Sequence, residues 1–304
     1  LNSLTIQAGG TFTADAATIT MDGNWDSSAG TFTYGTSTVV FAANGILNPG
    51  SGGIISFYAI TVNIGVTVTL TNGVNFLYTG TFNINNNGVV TVGTNARVVA
   101  QGNGAGLVLG TGVTTNFNLE WISTNSIPGS TYIALSVWTT STSLAGNVTT
   151  TGEPTDTVYW SSFGVAQGAI LNLNGFSVNV QGASGISVGH ANGAGAASAI
   201  ITGNSTVTTT AVLVPIIGSY ITSTAAGSWT VSGAWTNSST SASWSFVAPI
   251  TFNSATGGTM TFAGANLAGA EFDSVTFNST AGTAQTFTMA TRGLRWLTTL
   301  TVSA

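Results

Sequence analysis

The densest group of potential metal ligands in the sequence is DGNWD at residues 22–26. Its Asp22, Asn24 and Asp26 stand at alternate positions, as oxygen ligands do in the first half of a calcium-binding loop. The segment lacks the glycine and the second acidic residue that such a loop has further along. We interpret it first as a surface turn with two solvated carboxylates. Calcium is the one cofactor that the sequence suggests.

Only one histidine is available for catalysis or metal binding. His190 is the only histidine and lies in the glycine-rich segment SVGHANGAG. No second histidine exists for a metal cluster, and a serine–histidine–carboxylate set needs a third group that orients the base. We interpret His190 as a hydrogen-bonding turn residue.

Two further carboxylate pairs are close in sequence, Glu153 with Asp156 and Glu271 with Asp273. Two residues apart on one strand, Glu271 and Asp273 would face the same side, which satisfies the spacing of a glycoside-hydrolysing pair. The nearest cations, at 292 and 295, can pair with them instead. We expect a stabilising surface cluster and no catalysis.

The composition excludes several classes of function. Only 4 % of the 304 residues are charged, lysine and cysteine are absent, and the net charge is −5. Threonine, serine, asparagine and glycine must therefore solvate the surface. Phosphate binding depends on Lys and Arg, so we expect no nucleic-acid partner. No apolar run reaches the length of a spanning helix, so we expect no transmembrane segment.

The pattern of residues predicts strands nearly everywhere. Segments such as TITM, STVVF, TVTL and SWTVS alternate apolar and small polar residues with a period of two, and Gly, Asn and Ser clusters separate them. Helix signals are almost missing. An all-β fold follows.

Internal repetition favours a solenoid among all-β folds. The segment at 18–41 recurs at 228–252, where Trp25 aligns with Trp235 and Gly23 with Gly233. We predict one repetitive β domain over 1–304, with related units at about 1–84 and 228–304 and a divergent middle at 85–227. The predicted architecture is a right-handed parallel β-helix, in which Asn-rich corners such as NINNNG stack as amide ladders. Tandem β-sandwich domains are the alternative.

The two ends of the sequence match each other when Leu300 is aligned with Leu4 and Val302 with Ile6. We expect the chain to be a segment of a longer array, or a unit that associates with itself head to tail. The residues expected near the two junctions are Leu1, Leu4 and Ile6 at one and Leu297, Leu300 and Val302 at the other.

The phrases LTI-x-x-GGTFT and GNW…GTF…V-x-F resemble the repeats of large bacterial and archaeal cell-surface proteins, of the filamentous-haemagglutinin-like and autotransporter adhesin type. The resemblance implies a right-handed parallel β-helix, secretion and display at the cell surface. It also implies structural, adhesive or filament-forming work, with surface glycans as partners. A structural extracellular protein without catalysis is therefore the leading hypothesis for function.

The alternative hypothesis is a carbohydrate-binding or polysaccharide-degrading β-helix protein. Such enzymes neutralise uronate charge with calcium, arginine or lysine, and this chain has three arginines and no lysine. Aromatic residues of the irregular middle would stack on sugar rings if they were exposed, but we expect them to be buried. These residues are Trp121, Tyr132, Trp138, Tyr159 and Trp160.

Four N-x-S/T triplets are potential glycosylation sites if the protein is displayed on a suitable cell surface. They lie at Asn147, Asn204, Asn237 and Asn278. A chain rich in Ser, Thr and Asn yields such triplets by chance, but a glycoprotein remains part of the hypothesis.

The scarcity of charge leads to a prediction about stability. Few groups change protonation on unfolding and few exposed charges are screened by salt. We expect the melting temperature to change little between about pH 8 and about pH 5, and little with added salt. Calorimetry across this range tests the prediction, and a steep fall toward acid contradicts it.

Overall fold

The structure is a computed structural model. It describes residues 1–49, 53–73, 75–93, 96–153, 161–190, 196–215, 218–239, 241, 243–262, 271–279, 287–290 and 295–303.

These residues form strands and no helix. The first eighteen strands are β1 Leu4–Thr5, β2 Thr11–Thr13, β3 Thr18–Met21, β4 Trp25–Asp26, β5 Thr31–Thr33, β6 Thr38–Phe41, β7 Gly45–Asn48, β8 Ile54–Phe57, β9 Ala59–Val62, β10 Thr67–Leu70, β11 Asn75–Tyr78, β12 Thr81–Ile84, β13 Val89–Val92, β14 Arg97–Gln101, β15 Gly106–Leu109, β16 Thr114–Asn116, β17 Asn118–Ile122 and β18 Ser130–Tyr132. The remaining strands are β19 Ala134–Val137, β20 Thr142–Ser143, β21 Val148–Thr150, β22 Phe163–Ala166, β23 Ile170–Asn172, β24 Val178–Val180, β25 Ile186–His190, β26 Ala199–Ile201, β27 Thr206–Thr209, β28 Val212–Val214, β29 Tyr220–Thr222, β30 Ser228–Val231, β31 Trp235–Asn237, β32 Ile250–Ser254, β33 Gly258–Phe262, β34 Glu271–Ser279, β35 Phe287–Ala290 and β36 Arg295–Ser303.

The strands pair in parallel and stack as a β-solenoid of about 11 turns, which we call rungs. The predicted parallel solenoid is confirmed, and the alternative of tandem β-sandwiches is wrong because sandwiches are built from antiparallel pairs. The chain divides into two compact units, Leu1–Leu135 and the described residues from Ser136 onward.

Three stacks of strands enclose the core of the N-terminal unit. They are β1-β4-β7-β10-β13-β16, β3-β6-β9-β12-β15, and β2-β5 followed by β8-β11-β14-β17. Each of the first five rungs contributes one strand to each stack, and β16 and β17 extend two of the stacks by one further strand. Trp25 lies opposite Leu47, so one rung runs from Trp25 to the residue before Leu47.

The C-terminal unit repeats this plan with less even rungs. Its stacks are β20-β23-β26-β29, β21-β24-β27-β30-β32-β34-β36 and β22-β25-β28-β31-β33-β35. Thr142 lies opposite Leu171, whereas Trp229 lies opposite Ile250, so the rung that begins at Thr142 is clearly the longer of the two. The longer rungs fall within the middle that the sequence marks as divergent. Most of their extra residues lie between the strands, but β22 and β25 pair with a register shift between Val165 and Ala166.

Side chains alternate between the core and the surface along each strand, as the period of two predicts. Apolar residues from successive rungs form inward columns, and large aromatic residues fill both cores. The rings cluster around Trp25, Phe32, Phe57, Phe76 and Phe82 in the N-terminal unit and around Trp229, Trp235, Phe246, Phe252 and Phe272 in the C-terminal unit.

The aromatic residues of the middle are buried where the structure describes them fully. Trp121 and Tyr132 are fully buried, as predicted, and each donates a hydrogen bond to a backbone carbonyl, Trp121 Nε1 to Asn125 at 3.0 Å and the Tyr132 hydroxyl to Pro128 at 2.9 Å. Burial raises the pKa of the Tyr132 hydroxyl well above its ordinary value. Trp138 is half-buried, and residues 159 and 160 lie outside the described residues.

The repeated phrase detected in the sequence is a corner between two strands. Residues 21–25 and 231–235 have the same local conformation and the same alternation of burial. A glycine is needed at this corner because the next rung passes over it. A Cβ at Gly45 would lie 2.5 Å from the carbonyl oxygen of Gly23, and one at Gly258 would lie 2.8 Å from that of Gly233.

Asparagine side chains brace this corner and others from rung to rung. Asn24 Oδ1 accepts a hydrogen bond from the backbone N–H of Ile46 at 3.0 Å, and Asn86 Oδ1 accepts one from that of Thr111 at 2.8 Å. In NINNNG the amide thus bonds to backbone, where we had expected stacked amides. The side chains that act in the same way elsewhere are those of Asn44 and Asn147.

The crowded corner glycine leads to a testable consequence. Gly45→Ala should lower the free energy of unfolding by about 1–3 kcal/mol, the usual cost of forcing extra atoms into a packed site. Gly104→Ala is the matched control, because its Cβ would meet only the Thr79 carbonyl oxygen at 3.7 Å. Urea denaturation of the two variants measures the difference. Equal midpoints would show that the corner is not crowded.

Candidate functional site

A regular surface lies on the outer side of one stack in the C-terminal unit. In β21, β24, β27, β30, β32, β34 and β36 one outward position carries threonine on six of the seven rungs and asparagine on the other. We call this row the threonine column. Its members are Thr149, Asn179, Thr208, Thr230, Thr251, Thr276 and Thr301.

The hydroxyls of the threonine column are open to the surroundings. All seven residues are half-exposed or exposed. Among the described residues, none of the six threonine hydroxyls has a hydrogen-bond partner within the protein. Neighbouring strands of a sheet lie about 4.7–4.9 Å apart, so the column repeats a hydroxyl and a methyl group at that interval.

Mostly polar rows flank the threonine column on both sides, two residues before and after each of its members in the sequence, and Pro249 interrupts one of them. Ser228 Oγ donates to Thr206 Oγ1 at 3.3 Å on one side, and Asn278 Nδ2 donates to Asn253 Oδ1 at 2.9 Å on the other. These contacts join adjacent rungs and order the border of the surface. We call the threonine column and its two flanking rows the threonine face.

The threonine column and its flanking rows contain no charged residue. Hydroxyl and amide dipoles therefore set the electrostatic character of the face. Charged residues lie at its border: Asp273 is half-buried directly before Ser274, where β34 shifts its register, and the backbone register places Glu271 opposite Arg295. Within the face itself an ionic ligand finds no counter-charge.

The motifs considered in the sequence did not predict this face, although the sequence contains a signal for it. The column occurs in apolar–polar–apolar triplets such as WTV, ITF, VTF and LTV. The interval between successive members is not constant, because Thr251 follows Thr230 much sooner than Asn179 follows Thr149. A search for a fixed period therefore overlooks the column, and only the strand register aligns the triplets.

The predicted calcium ligands lie at a corner of the N-terminal unit. Asn24 Oδ1 is occupied by the Ile46 N–H, and Asp26 Oδ1 accepts the Ser28 N–H at 2.9 Å. Hydrogen bonds from the Ser28 side chain and backbone lower the pKa of Asp26. Asp22 is exposed on the bend between β3 and β4. Calcium binding by these residues stays a prediction.

The other titratable residues considered in the sequence are not gathered into one site. In the described part of the chain, no three His, Asp or Glu side chains lie together as a metal site would require. Glu153 accepts hydrogen bonds from the Ser162 hydroxyl at 3.2 Å and the Ser184 N–H at 2.9 Å. His190 ends β25, and Asp273 lies within β34. Residues 156 and 292 lie outside the described residues.

The potential glycosylation sites differ in exposure. Asn147 and Asn204 are exposed, and Asn278 is half-buried within the threonine face. Asn237 is only 2 % exposed, and its Oδ1 accepts the backbone N–H of Ser239, so a glycan there would require the strand to leave the stack. A glycan on Asn147 would cover the adjoining end of the threonine face.

The residues predicted to lie near junctions occupy the first and last described rungs. At the start, Leu1 is exposed, Leu4 is half-buried and Ile6 is buried. At the other end, Leu300 is 39 % and Val302 77 % exposed. The strand that contains residue 297 is described, but the side chain of Leu297 is not.

One ion pair lies against the outer side of β11, β14 and β17 in the N-terminal unit. Arg97 lies 3.0 Å from the Glu120 carboxylate, and its Nε donates to Asn75 Oδ1 at 2.6 Å. Both charged side chains are largely buried. The pair joins three rungs, and we interpret it as structural for that reason.

A small pocket opens where β5 and β8 do not pair. Its volume is about 330 Å³, near the lower end of the range for small-molecule sites. Its lining includes Phe32, Tyr34, Pro49 and Ile54, all within the N-terminal unit.

No protein-family model matches the sequence, and no curated protein or solved structure is significantly similar to the chain. None of the described residues forms a helix long and apolar enough to cross a membrane. Function is therefore argued from the geometry of this chain alone.

The ion pair gives a testable prediction. Arg97→Ala leaves the largely buried Glu120 carboxylate without its cation and should lower the free energy of unfolding by about 3–5 kcal/mol. Replacement of both residues, Arg97→Met with Glu120→Met, removes the charges together and should cost less. Chemical denaturation of the two variants tests this, and a double variant less stable than Arg97→Ala contradicts it.

Proposed function

We propose that this chain is a structural module of an extracellular surface protein, of the filamentous-haemagglutinin-like and autotransporter adhesin type, that assembles into a fibre or array. The observation that carries the proposal is the uncharged outer face that recurs on rung after rung. A surface built in this way presents the same groups many times in a fixed register. Such repetition suits display and multivalent contact more than catalysis at a single point.

The last described rung supports self-association. Leu300 and Val302 continue the inward columns of Val275 and Phe277, which are 0 % and 7 % exposed on the preceding rung. On β36 the side chains of Leu300 and Val302 are 39 % and 77 % exposed. The same strand also leaves one row of backbone groups open to pairing. A second copy whose own strand pairs with β36 would cover both.

A carbohydrate-binding function is the second proposal, and the pocket beside β5 favours it. Phe32 and Tyr34 line this pocket together with the hydroxyl-bearing residues Ser27, Thr31 and Ser56. An aromatic ring beside hydrogen-bonding groups is suited to a neutral sugar. The pocket is a single feature, whereas the uncharged face recurs along a whole unit, so the structural function leads.

Self-association can be tested with the chain as it stands. Light scattering after size exclusion, with electron microscopy, should reveal end-to-end species above the 30.5 kDa monomer that grow with concentration. Val302→Asp should abolish them, because a charge would be buried at the junction. The matched control is Val108→Asp, since Val108 is 54 % exposed on the outer side of β15. A wild-type chain that stays monomeric at every concentration overturns self-association.

A further inference from the structure

We propose that the threonine face binds ice, with the ordered water lattice of a crystal surface as its ligand. The proposal concerns the outer side of the C-terminal unit. It does not depend on head-to-tail assembly, because the β36 columns that would mediate assembly point inward and the threonine column points outward.

The first argument is the two-dimensional regularity of the face. Strand spacing repeats the hydroxyls at about 4.7–4.9 Å in one direction, and residues two apart on a strand lie about 6.5–7 Å apart in the other. Thr208 with Thr206 and Thr230 with Ser228 form one such grid over two adjacent rungs. Both distances are close to the repeats between water oxygens in the surface planes of ice. A lattice is the kind of ligand that can contact a grid at many points at once.

The second argument is that the grid is held rigid before any ligand arrives. Parallel backbone hydrogen bonds fix the strands, and threonine is restricted at χ1 because it is branched at Cβ. The contacts of Ser228 with Thr206 and of Asn278 with Asn253 fix the flanking rows. Little conformational entropy is then lost on binding, so individually weak contacts can add up.

The third argument concerns the hydroxyls themselves. In the N-terminal unit Thr69 and Thr91 on adjacent rungs lie 3.3 Å apart through their Oγ1 atoms and satisfy each other. In the threonine column, among the described residues, the six hydroxyls have no such partner. Each is free to bond to a water of the lattice, while the methyl group beside it holds no water strongly.

The fourth argument distinguishes ice from other ligands. A charged group would keep its own hydration shell, but the threonine face contains no charged group. Polysaccharide surfaces are recognised through aromatic rings that stack on sugars. The aromatic side chains of these strands that the structure describes, Trp229, Phe252, Phe272 and Phe277, point into the core and are at most 7 % exposed. A neutral, non-aromatic hydroxyl grid therefore fits water better than sugar.

The test is the partition of the purified chain, produced without glycans, into slowly grown ice. The wild-type chain should be enriched in the ice relative to a standard soluble protein. Thr230→Tyr with Thr251→Tyr places two rings in the middle of the column and should reduce the enrichment by about tenfold, which corresponds to about 1.4 kcal/mol. Thr236→Tyr is the control, because Thr236 is equally half-exposed but lies on β31 in another stack of the same unit. Circular dichroism should show that all three proteins are folded.

Two narrower variants identify the groups that act. Thr251→Val keeps the methyl group and removes the hydroxyl, and Thr251→Ser does the opposite. A loss of enrichment in ice for both variants supports binding through the hydroxyl and the methyl group together. A wild-type chain that is not enriched in ice, or an equal loss in Thr236→Tyr, overturns the proposal. Retention on microcrystalline cellulose or chitin that the double tyrosine variant abolishes, without enrichment in ice, overturns it in favour of a polysaccharide.

Discussion

Parallel hydrogen bonding between successive rungs is the constraint on which the rest of this structure depends. Each strand must align with the strand one rung earlier, so an inward residue lies over an inward residue and an outward residue over an outward one. The interior thus becomes a set of apolar columns and the surface a set of polar rows. Corners must adapt to this register, which is why a glycine, Gly45, lies over Gly23. For the same reason the side chains of Asn24 and Asn86 accept hydrogen bonds from backbone N–H groups of the next rung.

The same constraint explains how the protein can carry so little charge. A residue on an outward row lies about 4.8 Å from its equivalent on the next rung, and like charges at that distance would repel each other along the row. Threonine and asparagine avoid this repulsion and add hydrogen bonds or β propensity. Where charge does occur between rungs, at Arg97 and Glu120, the two signs are paired.

The fold class could be predicted from the sequence because both of its determinants are local. The period of two within strands and the recurrence of the corner around Trp25 and Trp235 can be read without knowledge of contacts. The position of each corner could not. Trp25 begins a strand of the stack that contains β1, whereas Trp235 begins β31 in a stack of the C-terminal unit, so the alignment matched corners and not equivalent faces. The threonine column stayed hidden for the same reason, since rungs of such unequal length can be aligned only by their hydrogen bonds.

The parallel register also governs how such a unit responds to mechanical load. The hydrogen bonds that join rungs run along the stacking direction, so tension along that direction pulls on them lengthwise. An edge strand can then be peeled away with its rung while the rungs behind it stay closed. A released rung such as the one between Trp25 and Leu47 would add about 70–80 Å of extended chain. A stack of this kind would unfold in steps under force, one rung at a time. The rungs that are still folded would bear the load between steps.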